Sequence, residues 1–359
     1  MTFECGGPGE TVMSRIFIHA PNIHHGGGAV LLNDLLRAIP PDLPAITTLD
    51  ERMPVSLKFS AHIGIKRVRP TLGDRFAAER WLFRSVDETD RVLCFGNLPP
   101  LFRLRGDVSV FLQNRYLVDD QAPLGALPLK PRIRLRMERV WLTTCRSHAM
   151  RYFAQTSSMQ RLAESRLGVP VICSPFVPES VLASTITPDR SISARFDFLY
   201  VASGEAHKNH TVLISAWAML ADEGVFPSLA LTLSETHSPD LVKHIEVQRT
   251  AKGLRIHNLG VLPHDQLVDL YRDSKALIYP SGFESFGLPL IEAKLVGLPV
   301  LAPELDYVRD VLDPTESFDP SSPISIARAV KRFLKERPSS FKPMDAKNFL
   351  THLLSGDQS

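Results

Sequence analysis

Short apolar runs recur along the chain, and between them apolar residues return every three or four positions. The runs predict buried parallel strands and the wider spacing predicts helices, an alternation typical of a parallel sheet covered on both faces. The runs of the first half are 15–20, 91–95, 108–112, 152–156 and 169–173, and a helical pattern covers 29–36.

A second series of the same kind begins at residue 196, after a stretch rich in Pro, Ser and Thr that fits a linker. Its apolar runs are 196–202, 229–233, 254–257, 276–279 and 299–302, with helical patterns at 211–220, 324–334 and 345–354. We therefore expect two Rossmann-like α/β domains that face a central cleft. The expected division is a disordered tail 1–13, a first domain 14–175, a linker 176–195, a second domain 196–335, and a segment 336–359 that packs back towards the first domain.

Composition agrees with a globular protein of two ordinary domains. The chain has 359 residues, of which 44% are hydrophobic and 22% charged, and no apolar run approaches the length that crosses a bilayer. The first thirteen residues lack the basic and then apolar pattern of a signal peptide. The four cysteines lack metal-ligand spacing, so we expect free thiols in or near the core of a cytoplasmic protein.

The segment 279–294, with the sequence YPSGFESFGLPLIEAK, carries the strongest chemical signal. Pro289 suits the first turn of a helix that Gly297 ends, so Glu292 points back towards the turn that holds Glu284. The amides of residues 286–288 face the same place and suit an anion. Two carboxylates around free amides suit a phosphorylated, polyhydroxylated ligand, and neither carboxylate is expected in a core.

This segment resembles the E-x7-E signature of retaining glycosyltransferases with the two-Rossmann GT-B fold, specifically of glycosyltransferase family 4. The flanking stretches 258–263, 267–271 and 297–303 resemble the same family, and the likeness is dense from 196 to 312. The resemblance implies that Glu284 contacts the sugar of a nucleotide-diphosphate sugar and that Glu292 holds the ribose. It also places residues 285–288 (Ser285, Phe286, Gly287 and Leu288) at the donor, and Leu262 near the base.

The turn 202–209, with the sequence ASGEAHKN, resembles the phosphate-binding turn of that family. The resemblance places Lys208 at the diphosphate and puts Ser203 where the family has an arginine, with His207 as a partial substitute. No Asp-x-Asp triplet is present to hold a metal at the leaving diphosphate. We therefore expect neither a metal nor a cofactor, and stabilisation of the leaving group by Lys208 and amides.

Three glycines, Gly26 to Gly28, follow the first strand without the G-x-G-x-x-G pattern, so a nicotinamide site is excluded. The resemblance places Gly27 and Gly28 at the cleft. Many family members carry a cleft histidine where this chain has the stretch 110–116, and here Gln113 replaces it. Gln113 or its neighbour Asn114 can position a hydroxyl but cannot take a proton, so acceptor activation is expected from the departing phosphate. Gln155 and Thr156 are further cleft candidates.

Basic residues are concentrated in the first half, where residues 1–180 hold 23 Lys and Arg against 17 Asp and Glu. Much of that excess lies in 130–139, and two interpretations stay open. Ile133, Met137 and Val140 fall on one face, which fits a basic helix over an ordinary core. The alternative is attraction to anionic headgroups, at ~1 kcal/mol per basic side chain near the membrane.

Together these patterns predict a metal-independent retaining glycosyltransferase that acts on a glycan or a polyprenyl-diphosphate-linked acceptor. The expected setting is bacterial surface polysaccharide (O-antigen, capsule or exopolysaccharide), with a peripheral contact at the inner face of the plasma membrane. A pI near 8.3 argues against nucleic acid as a partner. A non-catalytic sugar-nucleotide-binding or scaffold protein and a GT-B nucleotide-sugar epimerase are the alternatives.

Overall fold

The computed structural model describes residues 14–54, 63–179 and 194–335, which form two α/β domains, each built on one parallel sheet. Four of the sequence expectations lie outside the described residues: the tail 1–13, most of the linker, the segment 336–359 and its helix at 345–354.

The first sheet has seven parallel strands in the order β3-β2-β1-β4-β5-β6-β7. Its strands are β1 (Ile16–Ala20), β2 (Ala45–Asp50), β3 (Ile63–Val68), β4 (Arg91–Cys94), β5 (Asp107–Leu112), β6 (Arg151–Ala154) and β7 (Ile172–Cys173). The helices around it are α1 (Gly26–Arg37), α2 (Leu72–Ser85), α3 (Arg115–Val118), α4 (Leu129–Thr144) and α5 (Ser157–Leu167). Apolar clusters cover both faces of this sheet.

The second sheet has six parallel strands in the order β10-β9-β8-β11-β12-β13. Its strands are β8 (Phe196–Tyr200), β9 (Leu229–Leu231), β10 (Ile256–Asn258), β11 (Ser274–Ile278), β12 (Val300–Pro303) and β13 (Glu316–Phe318). The helices are α6 (His210–Asp222), α7 (Pro239–Lys252), α8 (His264–Arg272), α9 (Leu288–Leu295), α10 (Asp306–Arg309) and α11 (Pro323–Phe333). Its core is rich in large aromatic side chains, and Phe198 packs edge-on against Trp217 at 5.6 Å.

Each sheet reverses its strand order beside its first strand, between β1 and β4 and between β8 and β11. In open parallel sheets, ligands bind outside the carboxyl ends of the strands at such a reversal. The loops after β8 and β11 are therefore neighbours, although they are distant in sequence. Lys208 follows β8 and Glu284 follows β11.

The structure corrects several details of the expected elements. Helix α1 begins at Gly26, so the glycines that were expected to open a helix form its first turn, three residues before the apolar pattern at 29–36. Ile133 on α4 is 49% exposed, and Met137 and Val140 are each 63% exposed, so the interpretation of a basic helix with these residues against an ordinary core is wrong.

Cys94 is buried but Cys173 is exposed, so the expectation of thiols in or near the core fails for the second of these. No helix in the described ranges is long and apolar enough to cross a membrane.

Candidate active site

A tight turn after β8 aims Lys208 at the cleft. Residues Ala206–Lys208 form a short 3₁₀ turn, and Asn209 adopts the left-handed conformation with φ 55°. Asparagine tolerates that conformation better than most residues, and its side-chain amide donates to the carbonyl of Pro280 at 3.0 Å. The backbone of the turn is therefore tied to the loop that follows β11.

Glu284 is the centre of a polar network within the second domain. Its Oε1 accepts from the ammonium group of Lys208, from the Tyr279 hydroxyl at 3.0 Å and from the Ser281 hydroxyl at 2.6 Å. The side chains of the ion pair are only 13% and 12% exposed. Burial, and then the charge of Glu284, raise the pKa of Tyr279 well above its usual range, so this hydroxyl stays a donor.

The amides of α9 complete this side of the cleft. Gly287 precedes the helix with φ 70°, and a Cβ there would lie 3.0 Å from Leu290, so glycine is required on both counts. Among the residues that the structure describes, no side chain caps this helix. Its first amides are thus available to an anion beside Phe286 and Leu288, at the positive end of the helix dipole.

Glu292 lies one helical turn further and is 7% exposed. The expectation that neither carboxylate lies in a core is therefore wrong for Glu292. The Tyr271 hydroxyl donates to its Oε2 at 2.6 Å. This hydrogen bond fixes the orientation of the Glu292 carboxylate.

The remaining candidates of the second domain lie around this network. Ser203 donates to Glu205, a second carboxylate that sequence reasoning passed over. Burial acts to raise the pKa of Glu205, but the bond from Ser203 and other hydrogen bonds hold it below its usual value. Burial lowers the pKa of His207, so its imidazole offers a hydrogen bond but not the charge of an arginine at neutral pH. Leu262 packs against the core of the domain.

In the first domain, Gln113 and Gly28 lie together at the ends of β5 and α1. A Cβ at Gly28 would lie 3.2 Å from Gln113 Oε1, whereas one at Gly27 would meet nothing within 4 Å. The Gln113 side-chain amide donates to the carbonyl of Phe95 at 3.0 Å, which turns its oxygen towards Gly28. Asn114 accepts from the amide of Tyr116 at 3.1 Å, so it caps α3.

Arg115 joins the two domains, and nothing in the sequence singled it out beyond its place after Gln113. Its guanidinium forms a two-pronged bridge to Asp306 at 2.9 and 3.0 Å. It also donates to the backbone carbonyl of Glu284 at 3.3 Å and lies 5.0 Å above the ring of Phe283. The first domain therefore holds the backbone of the loop that carries Glu284.

Two further contacts support the same loop and the helix beside it. The hydroxyl of Thr156, one of the cleft candidates, lies 3.5 Å from the carbonyl of Ser285. The amide of Ser158 donates to Asp310 at 2.8 Å. Gln155 is buried, and its Nε2 has no hydrogen-bond partner among the described residues.

Within the described ranges, His, Cys, Asp and Glu side chains nowhere form a group of three or more that would hold a metal ion. Two histidines precede α1, and the rings of His24 and His25 contact each other at a centroid distance of 4.2 Å with their planes tilted by 60°. Burial lowers the pKa of His24.

Comparison with known proteins gives the fold and one partial match to a family model. Residues 188–347 match the model of the family described as glycosyl transferases group 1. Two solved structures share the overall fold: the Anabaena protein HepE in complex with UDP and glucose (17% identity, TM-score 0.64) and sucrose-phosphate synthase from Thermosynechococcus elongatus (16%, TM-score 0.66). Each likeness covers 90% of both chains, so the protein has the GT-B fold. The match to the family model begins just before the second domain and spans it.

Curated relatives come from Escherichia coli. One segment is 27% identical over 191 residues to the serotype-specific mannosyltransferase WbdA, covering 51% of this chain and 23% of that protein. Another is 31% identical over 116 residues to the O-antigen chain mannosyltransferase B, covering 32% and 30%. The chain thus matches less than a third of the length of either relative.

Proposed function

We propose that the protein is a retaining, metal-independent glycosyltransferase of family 4. It moves a sugar from a nucleotide-diphosphate donor to a glycan or lipid-linked acceptor of bacterial surface polysaccharide. The observation that carries the proposal is the network at Glu284, where Lys208 and two hydroxyl groups meet a carboxylate beside the uncapped start of α9.

The leaving diphosphate needs positive partners as its charge grows. Lys208 and the first amides of α9 supply them from two directions, and both are fixed before the donor arrives. Because Lys208 is paired with Glu284, arrival of the diphosphate exchanges one anionic partner of the lysine for another. Glu284 is then released towards the sugar hydroxyls, while Glu292, oriented by Tyr271, accepts from the ribose.

Retention follows from a front-face reaction. The acceptor oxygen bonds to the anomeric carbon on the side from which the phosphate oxygen leaves, and that phosphate oxygen takes the acceptor's proton. The hydroxyls of Tyr279 and Ser281 still donate to Glu284 after Lys208 has moved to the diphosphate, and they reduce the nucleophilicity of the carboxylate. Glu284 therefore stabilises the sugar instead of forming a covalent intermediate. Gln113 beside Gly28 positions the hydroxyl without acting as a base.

The Escherichia coli relatives support surface polysaccharide as the setting and make mannose the first donor sugar to test. A thermal-shift panel of UDP, GDP and their sugars identifies the nucleotide, and the matching sugar donor then enters a transfer assay. Transfer in excess EDTA with retained anomeric configuration is expected. An inverted product, or a chemical step that requires added Mg²⁺ or Mn²⁺, would contradict the mechanism.

A sugar-nucleotide-binding scaffold is the alternative, favoured by the missing cleft histidine and by Ser203 in place of an arginine. A scaffold binds the donor but neither transfers nor hydrolyses the sugar with any acceptor extract. An epimerase inverts a stereocentre in the sugar of the nucleotide-sugar donor and needs no acceptor, so product analysis separates all three activities.

A further inference from the structure

A groove of about 900 Å³ lies between α2 and α4 of the first domain, away from the network at Glu284. Its inner end reaches His19, Asn22 and Gly96, at the carboxyl ends of β1 and β4 where the first sheet reverses its order. The groove thus opens at one end towards the same sheet edge as Gly28 and Gln113. Its volume is in the ordinary range of small-molecule sites, roughly 300–1,000 Å³.

Apolar side chains line the outer part of the groove. Seven of the fifteen large apolar residues that are exposed in the described chain lie on α2 and α4. Leu72 is 83% exposed and Phe76 47% on one wall, and Met137 is 63% exposed on the other. Exposed apolar surface concentrated in one concave place marks a binding site, because single exposed residues are normally scattered.

Positive charge surrounds this apolar surface. Arg75, Lys130, Arg134 and Arg136 line the groove, against the carboxylates of Glu79 and Glu138. Glu79 already accepts from the Leu101 amide at 2.8 Å and bonds to His19 at 2.9 Å. The excess charge is therefore basic.

Polar atoms at the inner end have bonding capacity to spare. The Nε of Arg75 and the Oδ1 of Asn22 are buried atoms with no hydrogen-bond partner in the described part of the chain. The Nη2 of Arg75 lies 3.8 Å from the buried carboxylate of Asp50, so the Nε is the atom that an anionic group in the groove would satisfy. A hydroxyl would satisfy the asparagine.

We propose that this groove binds the hydrocarbon chain of a single-chain lipid phosphate, with the phosphate at Arg75 and its basic neighbours. A concave, rimmed groove fits one chain, whereas a bilayer surface needs apolar side chains that protrude from a convex face. That the bound lipid is the sugar acceptor rests on the proposed function, but lipid binding itself does not. The head would lie towards Asn22 and the cleft, and the tail along Phe76 and Met137.

The test uses dodecyl phosphate below its micelle concentration and the intact chain. Trp141 lines the groove, so its emission reports binding, and Trp141→Phe identifies that signal against the other two tryptophans. Met137→Glu should weaken binding by about tenfold or more, since ~1.4 kcal/mol corresponds to tenfold. The matched control is Val247→Glu, at an apolar position on α7 of the other domain that is 56% exposed. Arg134→Ser should also weaken binding. Arg328→Ser, at an exposed position on α11 of the other domain, should not.

Three further probes distinguish a single-chain lipid phosphate from other occupants of the groove. Inorganic phosphate and dodecyltrimethylammonium should each bind much more weakly, because one lacks the chain and the other the negative charge. Binding only to vesicles of phosphatidylcholine and phosphatidylglycerol, with none to monomeric dodecyl phosphate, would overturn the proposal and assign the groove to a bilayer. So would a dimer in solution that Met137→Glu dissociates.

The experiments test the proposed function and the lipid site independently of each other. Nucleoside-diphosphate affinity should be unchanged in Met137→Glu, because the groove is remote from Lys208. Saturable lipid binding with no sugar transfer would leave the groove assigned and the transferase proposal refuted. Transfer to a soluble glycan without lipid binding would support the transferase proposal and refute the assignment of the groove.

Discussion

The two domains build their sides of the cleft by different means. In the second domain, charged and hydroxyl side chains form a closed network around Glu284, with Lys208, Tyr279 and Ser281 all contacting one carboxylate oxygen. In the first domain, the same sheet edge carries amide side chains and glycines, and it continues into an apolar groove.

Under the proposed function, this difference matches what each side has to recognise. A diphosphate and a ribose have fixed charge and fixed hydroxyl geometry, so fixed polar partners suit them. An acceptor that varies between enzymes is met by shape and by apolar surface, which many sequences supply. The contacts of Arg115 connect the first domain to the second.

We expect the largest effect from a substitution at the centre of the network. Glu284→Gln should lower kcat by roughly 10²–10³-fold, the range for loss of a group that stabilises the transition state. Nucleoside-diphosphate affinity should stay nearly unchanged, since the sugar and not the nucleotide loses its partner. Steady-state kinetics and calorimetry measure both, with Glu316→Gln at a surface ion pair as the control. Lost affinity at unchanged kcat would refute the assignment.

Lys208→Ala tests the diphosphate contact. Loss of a charged hydrogen bond of ~1.5–3 kcal/mol should weaken nucleoside-diphosphate binding by about ten- to a hundredfold. Binding of the free nucleoside should hardly change. Lys331→Ala, which removes a surface pair with Glu223, is the control. Equal losses for both ligands in calorimetry would remove Lys208 from the phosphate site.

Glu292→Gln should weaken nucleoside-diphosphate affinity by about tenfold while kcat at saturating donor changes little, because ground-state binding is lost. Tyr271 still has an amide oxygen to donate to, so the fold should persist even though residue 292 is buried. A melting temperature near that of the parent checks this. If Glu292→Gln lowered kcat and Glu284→Gln lowered affinity, sugar and ribose would be placed the wrong way round.

Arg115→Asp addresses the connection between the domains. It removes the two-pronged bridge to Asp306 and the bond to the Glu284 carbonyl, so kcat/KM should fall by roughly tenfold, the scale of one charged hydrogen bond. Adding Asp306→Arg should restore part of the loss by reversing the pair. Arg309→Asp breaks a bridge to Glu304 inside the second domain and should have little effect. No recovery in the double variant would mean that the bridge does not hold the domains.

The last prediction concerns stability rather than activity and contrasts two buried histidines. His19 has partners on both ring nitrogens, whereas neither ring nitrogen of His210 has one among the described residues. Burial lowers the pKa of His210 to about 3, so the fold favours its neutral form and its contribution is lost as pH falls from 6.5 towards 3. Between pH 7 and pH 5 the loss is about 2 kcal/mol. Denaturation of His210→Phe should show a smaller pH dependence by that amount, and an unchanged dependence would contradict it.

More of the second domain than of the first could be predicted from the sequence. Glycine and proline around Glu284 and Glu292 impose a particular backbone, so the strand, the turn and helix α9 could be predicted from local rules. Strand β3 was missed because only its first and last residues are buried, which leaves no apolar run.

Contacts between distant segments left no local pattern. The contacts of Tyr271 with Glu292 and of Arg115 with Asp306 depend on how separate helices approach each other in the fold. The exposed face of α4 was open to two interpretations because periodicity gives the face of a helix but not what covers it. Roles of individual site residues remain predictions.

The ion pair between Lys208 and Glu284 joins residues 76 positions apart in sequence. A contact of such separation forms late in folding, since the loop entropy must be overcome before the contact contributes. A partly folded second domain that lacks either β8 or β11 therefore lacks the proposed nucleotide site. Nucleotide added during refolding can bind only the finished domain, so it should slow unfolding and leave the rate of folding unchanged.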